Sequence, residues 1–220
     1  MSRRLRAEKP YIVVFCEGES EQAYAEFLRK KFKNEAVINI PKATGLFEEA
    51  KDQFRKNPKF KNNADEINEV WFFFDVETKD ILCWEKRLEI IKFLRRQRRK
   101  PGIRVRLLMT SGCIEYWLML HYRMVSPPLQ TKAEKEKMIA DLKRIESTYE
   151  KGNRKSTEKI AEHYPTALTN GNQTMKQLLS EGMPGMEDTD ERNEWLCKNC
   201  RTFSNVQEAI NYLENLKNQQ

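Results

Sequence analysis

The segment VVFCEGESEQAY, Val13–Tyr24, runs from apolar residues straight into three carboxylates, Glu17, Glu19 and Glu21. The apolar run starts at Tyr11 and reads YIVVFC, β-branched and aromatic, continuous rather than alternating. That is the pattern of a strand buried on both faces. From Glu21 onward Ala23, Tyr24, Phe27, Leu28 and Phe32 recur at helical spacing, with Ser20 placed to cap the helix. The stretch therefore predicts a buried strand that turns at Gly18 into a helix, with acids at the turn.

The same alternation continues outward. Ala36–Ile40 predicts a second strand ended by Pro41, and Leu46, Phe47, Ala50 and Phe54 mark a second helix. Glu69–Phe74 (EVWFFF) is the strongest strand signal, and DVETKD follows it at once. Ile81–Arg99 predicts an amphipathic helix that stops before Pro101-Gly102. Ile103–Met109 predicts a fourth strand, and TSGCIEYWLMLHY a turn and an apolar helix. A strand-helix unit repeated in this way predicts an α/β fold with a largely parallel sheet flanked by helices. Past Pro127-Pro128 the composition changes. Lys132–Tyr149, Glu158–Tyr164, Gln173–Leu179 and Val206–Leu216 read as helices, and Gly182–Asp190 as a loop. The expected organisation is an α/β core over residues 1–125 and a helical C-terminal extension over 126–220 packed on it.

Bulk composition narrows the class. A chain of 220 residues suits one domain with a modest appendage. Hydrophobic residues make up 39% and charged residues 33%, and no apolar run approaches the roughly 20 residues that span a bilayer. The N-terminal MSRRLRAEKP lacks the apolar stretch of a secretory signal. The expected address is cytoplasmic, with no membrane partner. Five cysteines, an odd number, do not suggest a disulfide framework. Cys197 and Cys200 form a CxxC without a second pair at zinc spacing, so they read as inert thiols. No phosphate-cradling Gly-rich loop is present, which argues against ATP hydrolysis by this chain.

Two acidic groups follow strands. Glu17 and Glu21 follow the first, Asp75 and Glu77 the third. In parallel α/β sheets, ligands bind outside the carboxyl ends of the strands. Glu21 lies one helical turn past Glu17, and alternation sends Asp75 and Glu77 to the same side. Converging carboxylates stay ionised together only around positive charge. An all-oxygen set selects a hard divalent ion, Mg²⁺ or Mn²⁺, of the kind that assists phosphodiester cleavage. The chain carries a net charge of +7, and RRQRRKPGIRVR (Arg95–Arg106) packs seven cations into twelve residues. Arg95, Arg96, Arg98, Arg99, Lys100 and Arg104 are the expected phosphate contacts. Plainer readings stand beside these. Glu19, Glu21, Asp75 and Glu115 also suit helix N-termini, and the cations suit a helix C-terminus. Contiguous aromatics at 71–74 suit a core rather than base stacking, and His121 on an apolar helix suits a buried partner.

Four segments in order carry a resemblance: CEGESE, EVWFFFDVE, TSGCIEYWLMLHYR, and YEK at Tyr149–Lys151 followed by a stretch near Ala167. Together they resemble the RloB family of Toprim-like proteins, related to the OLD-family nucleases. The likeness covers nearly the whole chain. It departs at Ser-Gly-Cys-Ile, where the family has an Asn-Pro-x-Phe region, and at Glu77, where the family has Asp. The resemblance implies a Toprim-like core and a metal-dependent nuclease of bacterial restriction-linked, anti-phage loci. It further suggests a partner ATPase, while the acids and the cationic run point to DNA or RNA, with tRNA left open, as the substrate. The residues it puts forward are Glu17 as metal ligand and general acid/base, with Glu21, Asp75 and Glu77 as further ligands. Glu115 and His121 take catalytic places, and Lys151 touches phosphate. The competing expectation is a non-catalytic nucleic-acid-binding module, or a regulatory subunit, that keeps the fold.

Overall fold

A computed structural model of the chain describes residues 9–42, 45–199 and 201–218. In chain order the first half runs β1 (Tyr11–Cys16), α1 (Glu19–Lys31), β2 (Val37–Asn39), α2 (Phe47–Lys56), α3 (Pro58–Lys61), β3 (Ile67–Val76), α4 (Trp84–Arg95) and β4 (Arg104–Ser111). Helices follow: α5 (Ile114–Met119), α6 (Lys132–Ile145), α7 (Arg154–Ala161), α8 (Tyr164–Ser180), α9 (Asp190–Lys198) and α10 (Gln207–Asn218).

The strands form one sheet of order β2-β1-β3-β4 among the described residues, and every neighbouring pair is parallel. β1 is apolar throughout because both its faces are covered. Ile12, Val14 and Cys16 enter one core with α1, α5 and α10, while Val13 and Phe15 enter the other with α2 and α4. β3 divides the same way, Trp71 and Phe73 to the first core, Phe72 and Phe74 to the second. All four of these aromatics are at most 1% exposed, so they are core residues and cannot stack on a base. Burying each contributes roughly 1.5–3 kcal/mol.

The strand order fixes where a ligand can enter. The chain leaves β1 toward β2 on one side, then crosses back over β1 to reach β3. The winding direction thus reverses between β1 and β3, which opens a crevice at their carboxyl ends.

The C-terminal helices complete both cores. Ile160, Ala167 and Ile210 join the first, and Met175, Leu196 and Cys197 the second. The outer edge of β4 is closed by the segment before α10. Asn205 Oδ1 accepts the Met109 N–H at 2.6 Å, its Nδ2 donates to Leu107 O at 2.8 Å, and Thr110 bridges Ser204. Such cover removes an open sheet edge.

Several elements differ from the sequence reading: the helix expected over Gln173–Leu179 begins already at Tyr164, and a short helix forms at Pro58–Lys61. The helix expected from Ile81 starts only at Trp84, because Thr78–Cys83 winds as a tighter 3₁₀ turn fastened by Glu77 and Asp80. α9 is a helix that apolar periodicity does not reveal. Its buried face is Arg192, Asn193, Leu196 and Cys197, half of it polar. Among the described residues, no helix is long and apolar enough to cross a membrane.

Candidate functional site

The site begins where β1 ends. The Glu17 N–H donates to Phe73 O at 3.0 Å, and Glu17 Oε2 accepts the Asp75 N–H at 3.0 Å. The side chain of one strand tip is therefore fastened to the backbone of the next. Gly18 is extended (φ −144°, ψ −176°), a conformation open to any residue. Its smallness matters instead, since a Cβ there would lie 3.0 Å from Glu21 Oε2. Ser20 does not cap α1. Its Oγ accepts the Gly152 N–H at 3.1 Å, which draws the loop between α6 and α7 onto the acids.

A third strand tip contributes Glu115. Gly112 has φ +70°, its N–H donates to Val76 O at 2.9 Å, and a Cβ there would strike Leu129 O at 2.3 Å. Only glycine makes this turn, which sends the chain from β4 into α5. Glu115, in the first turn of α5, is 0% exposed. Its Oε1 accepts the Tyr149 O–H at 2.9 Å and lies 4.0 Å from Lys151 Nζ.

Glu17, Glu21, Asp75, Glu115 and Lys151 act on one another electrostatically. Burial, with Glu17 and Glu115 nearby, pushes the Glu21 carboxyl up to about 7. Burial first, then Glu21, Glu17 and Glu115, push Asp75 well above the usual carboxylate range. Burial opposes the charge on Lys151, but Glu115 and Asp75 outweigh it and raise the pKa of the ammonium. Burial and then Glu115 and Asp75 hold the neighbouring Cys113 as a neutral thiol.

Does this group suit a cation? Asp75 Oδ1 and Glu115 Oε2 are enclosed and have no hydrogen-bond partner. Enclosed carboxylate oxygens without a partner are costly unless something positive reaches them. The all-oxygen donor chemistry fits a hard divalent ion. Yet among the described residues no three Asp, Glu, His or Cys side chains converge as a bound metal ion requires. Glu17 spends one of its oxygens on the Asp75 backbone N–H.

A family model described as RloB-like protein matches residues 12–219. The chain belongs to the RloB-like family. Searches of curated proteins and of solved structures return no match.

In this RloB-like chain several expected site residues stand away from the acids. Glu77 is engaged elsewhere. It caps the 3₁₀ turn, its N–H donates to Asp80 Oδ2 at 2.7 Å, and its carboxylate pairs with Lys79 at 2.6 Å and with Lys135. Burial acts to raise its pKa, but the two lysines outweigh that and lower it. Leaving the strand after Val76 breaks the alternation that was expected to keep Glu77 beside Asp75. His121 is 1% exposed, packed against Tyr24 and Trp117. Its Nδ1 lies 3.0 Å from Trp117 O, an acceptor only, so Nδ1 carries the proton and Nε2 accepts the Tyr24 O–H at 3.0 Å. Burial lowers its pKa to about 3, so it is a neutral core group.

The basic run sits at the other end of the sheet. Register pairs Glu69 with Arg104 and Asp75 with Thr110, which separates them by six residues, about 20 Å along the strands. Arg95 makes a two-pronged pair with Asp190, both bonds 2.7 Å, and Arg104 lies 3.7 Å from Asp188. Arg98 Nη1 approaches Ile67 O at 3.5 Å. Arg106 is buried against Glu69 and lies over the rings of Trp71 and Tyr212. Arg96, Arg99 and Lys100 are exposed. Cys197 is buried with Sγ 3.6 Å from Met109 Sδ, and Cys200 lies outside the described residues.

Tyr149 and Cys113 also stand against the acids; both lie in segments that carry the resemblance, but neither was assigned a role there. Cys113 neighbours Glu115 in sequence, whereas Tyr149 reaches it from 34 residues away.

Proposed function

We propose that this protein is a metal-dependent nuclease cleaving phosphodiesters of DNA or RNA, tRNA included. The cation-holding set is Glu17, Glu21, Asp75 and Glu115. Glu77 is left out, since two lysines already occupy it. One observation carries the reading: carboxylates from three strand tips lie within electrostatic reach of one another near the reversal of the sheet, with enclosed, unpartnered oxygens on Asp75 and Glu115. A bound Mg²⁺ or Mn²⁺ would supply an activated water and stabilise charge on the leaving oxygen.

The remaining roles belong to the chain itself. Tyr149 fixes Glu115 through Oε1 and so leaves Oε2 without a partner. Lys151, with its side chain 63% exposed, holds a positive charge at the mouth, where a substrate phosphate would arrive. The defence role, the Toprim relation and a partner ATPase rest on the resemblance alone, and the cytoplasmic setting on the composition of the sequence.

A second reading is a nucleic-acid-binding or regulatory subunit that retains the fold without catalysis. The absence of three converging ligands among the described residues favours it. One experiment separates the two. Plasmid, linear duplex, single-stranded DNA and tRNA are incubated with Mg²⁺, Mn²⁺ or EDTA, using the parent, Glu17→Gln and Asp75→Asn. The nuclease reading expects metal-dependent cleavage that both substitutions abolish. No cleavage of any substrate, together with no heat of Mn²⁺ binding by calorimetry, selects the second reading.

A further inference from the structure

Helices α2 and α4 pack together on the face of the sheet opposite α1. The groove between them encloses about 320 Å³ and is lined by Lys51, Arg55, Lys92 and Arg96, with Phe93 and the single carboxylate Glu89. Lys51 and Arg55 stand four residues apart on α2, as do Lys92 and Arg96 at the end of α4. Like charges at that spacing repel and weaken a helix. Helix dipoles account for cations near the two C-termini, but not for Lys51 in mid-helix or for the gathering of both pairs in one groove.

Neutralisation is sparse here. Lys51 has Glu48 at 3.7 Å, while Arg55, Lys92 and Arg96 form no ion pair among the described residues. Arg95, one residue before Arg96, turns instead to Asp190 on α9. The Arg55 guanidinium lies over the Phe93 ring at 5.1 Å, so its donor fork is held flat rather than left free. Exposed Arg99 and Lys100 carry the charge beyond the end of α4.

We propose that this groove binds the backbone phosphates of a nucleic-acid segment remote from the one the acids address. It rests on the nucleic-acid part of the reading above, not on cleavage. The groove and the acids lie on opposite faces and toward opposite ends of the strands. The bound segment is therefore a separate stretch of the polynucleotide, gripped away from the reacting phosphate.

The test measures binding rather than activity. The full chain carrying Glu17→Gln is titrated in EDTA against a fluorescein-labelled 30-base-pair DNA duplex and a labelled RNA hairpin, over a series of salt concentrations. Each phosphate contact contributes about 0.9 to the slope of log K against log salt for duplex DNA. Adding Arg55→Gln and Arg96→Gln is expected to flatten that slope by about 2 and to weaken binding at least tenfold at low salt. Arg55→Lys with Arg96→Lys keeps the charges and should keep the slope, which separates lost contacts from lost structure. An unchanged affinity and slope in the double Gln variant overturns the proposal and leaves the groove to an acidic protein surface. No binding of either probe by the Glu17→Gln background overturns it as well. A slope shift without any cleavage by the parent leaves the groove standing while the nuclease reading fails.

Discussion

The Asp75 backbone N–H donates to Glu17 Oε2 at 3.0 Å, so two acids expected to share a ligand are already joined through the main chain. This bond holds Glu17 over the tip of β3 and takes one of its oxygens. Glu17→Gln keeps an oxygen acceptor there and removes the charge, whereas Glu17→Ala removes both. Both variants are expected to lose at least tenfold in Mn²⁺ affinity by calorimetry. Only the Ala variant should also lose stability, about 0.5–1.5 kcal/mol by urea unfolding. Equal Mn²⁺ binding by parent and Gln variant would remove Glu17 from the cation-holding set.

Asp75→Asn should separate folding from ligand binding. Asp75 faces Glu21, Glu17 and Glu115, and its Oδ1 is enclosed without a partner. Removing its charge relieves repulsion, so in EDTA the Asn variant is expected to melt at or above the parent temperature. In millimolar Mn²⁺ the order should reverse, because only the parent gains stability from the ion. A variant that melts well below the parent in EDTA would make Asp75 a structural carboxylate instead.

The pH dependence of the metal-free chain follows from Glu21. Its folded pKa, about 7, lies above the ordinary value of 4.5. Between those values the native state binds more protons than the unfolded state, so stability falls as pH rises. The contribution is fully present below about pH 4.5 and is lost as pH climbs through about 7. Asp75, also raised, adds in the same direction. Melting temperatures in EDTA should therefore drop from pH 5 to pH 8, and Glu21→Gln should flatten the drop. A rise over that range would contradict the burial of Glu21 beside like charges.

The sheet was legible because β1 and β3 are apolar on both faces, which only a doubly covered parallel sheet requires. The nearness of Glu17, Glu21 and Asp75 to one another was legible because they lie within a few residues of strand ends, where local spacing still reports geometry. Glu77 was not, since one 3₁₀ turn beginning at the next residue cancels strand alternation. The ion pairs within the cationic run were hidden for another reason. Charge count says nothing of partners, and Asp188, Asp190 and Glu69 reach Arg104, Arg95 and Arg106 only in the folded chain. Tyr149 and Lys151 join the acids through a long-range contact, Ser20 to Gly152, that no periodicity encodes.

Gly112 tests how the third acid is delivered. An alanine there must adopt φ +70° and place its Cβ 2.3 Å from Leu129 O. The left-handed backbone alone costs roughly 1–2 kcal/mol, and the clash adds to it. Gly112→Ala should lower the urea midpoint and Mn²⁺ affinity together, because the turn that shifts is the one carrying Glu115. A loss of stability of that size with Mn²⁺ affinity intact would detach Glu115 from the cation.

Tyr149 should behave as a positioning residue for Glu115. Its hydroxyl is the donor to Oε1, both groups are buried, and Oε2 has no other partner. Tyr149→Phe leaves an enclosed carboxylate with neither oxygen hydrogen-bonded, at a cost of roughly 1.5–3 kcal/mol. Glu115→Gln removes the charge that makes the loss expensive. The double variant should therefore be more stable than the sum of the two single changes implies, with a coupling of about 1 kcal/mol or more. Urea unfolding of all four proteins in EDTA measures that coupling directly. Simple additivity would mean the hydroxyl and the carboxylate do not depend on each other, and Tyr149 would then have no place in orienting the site.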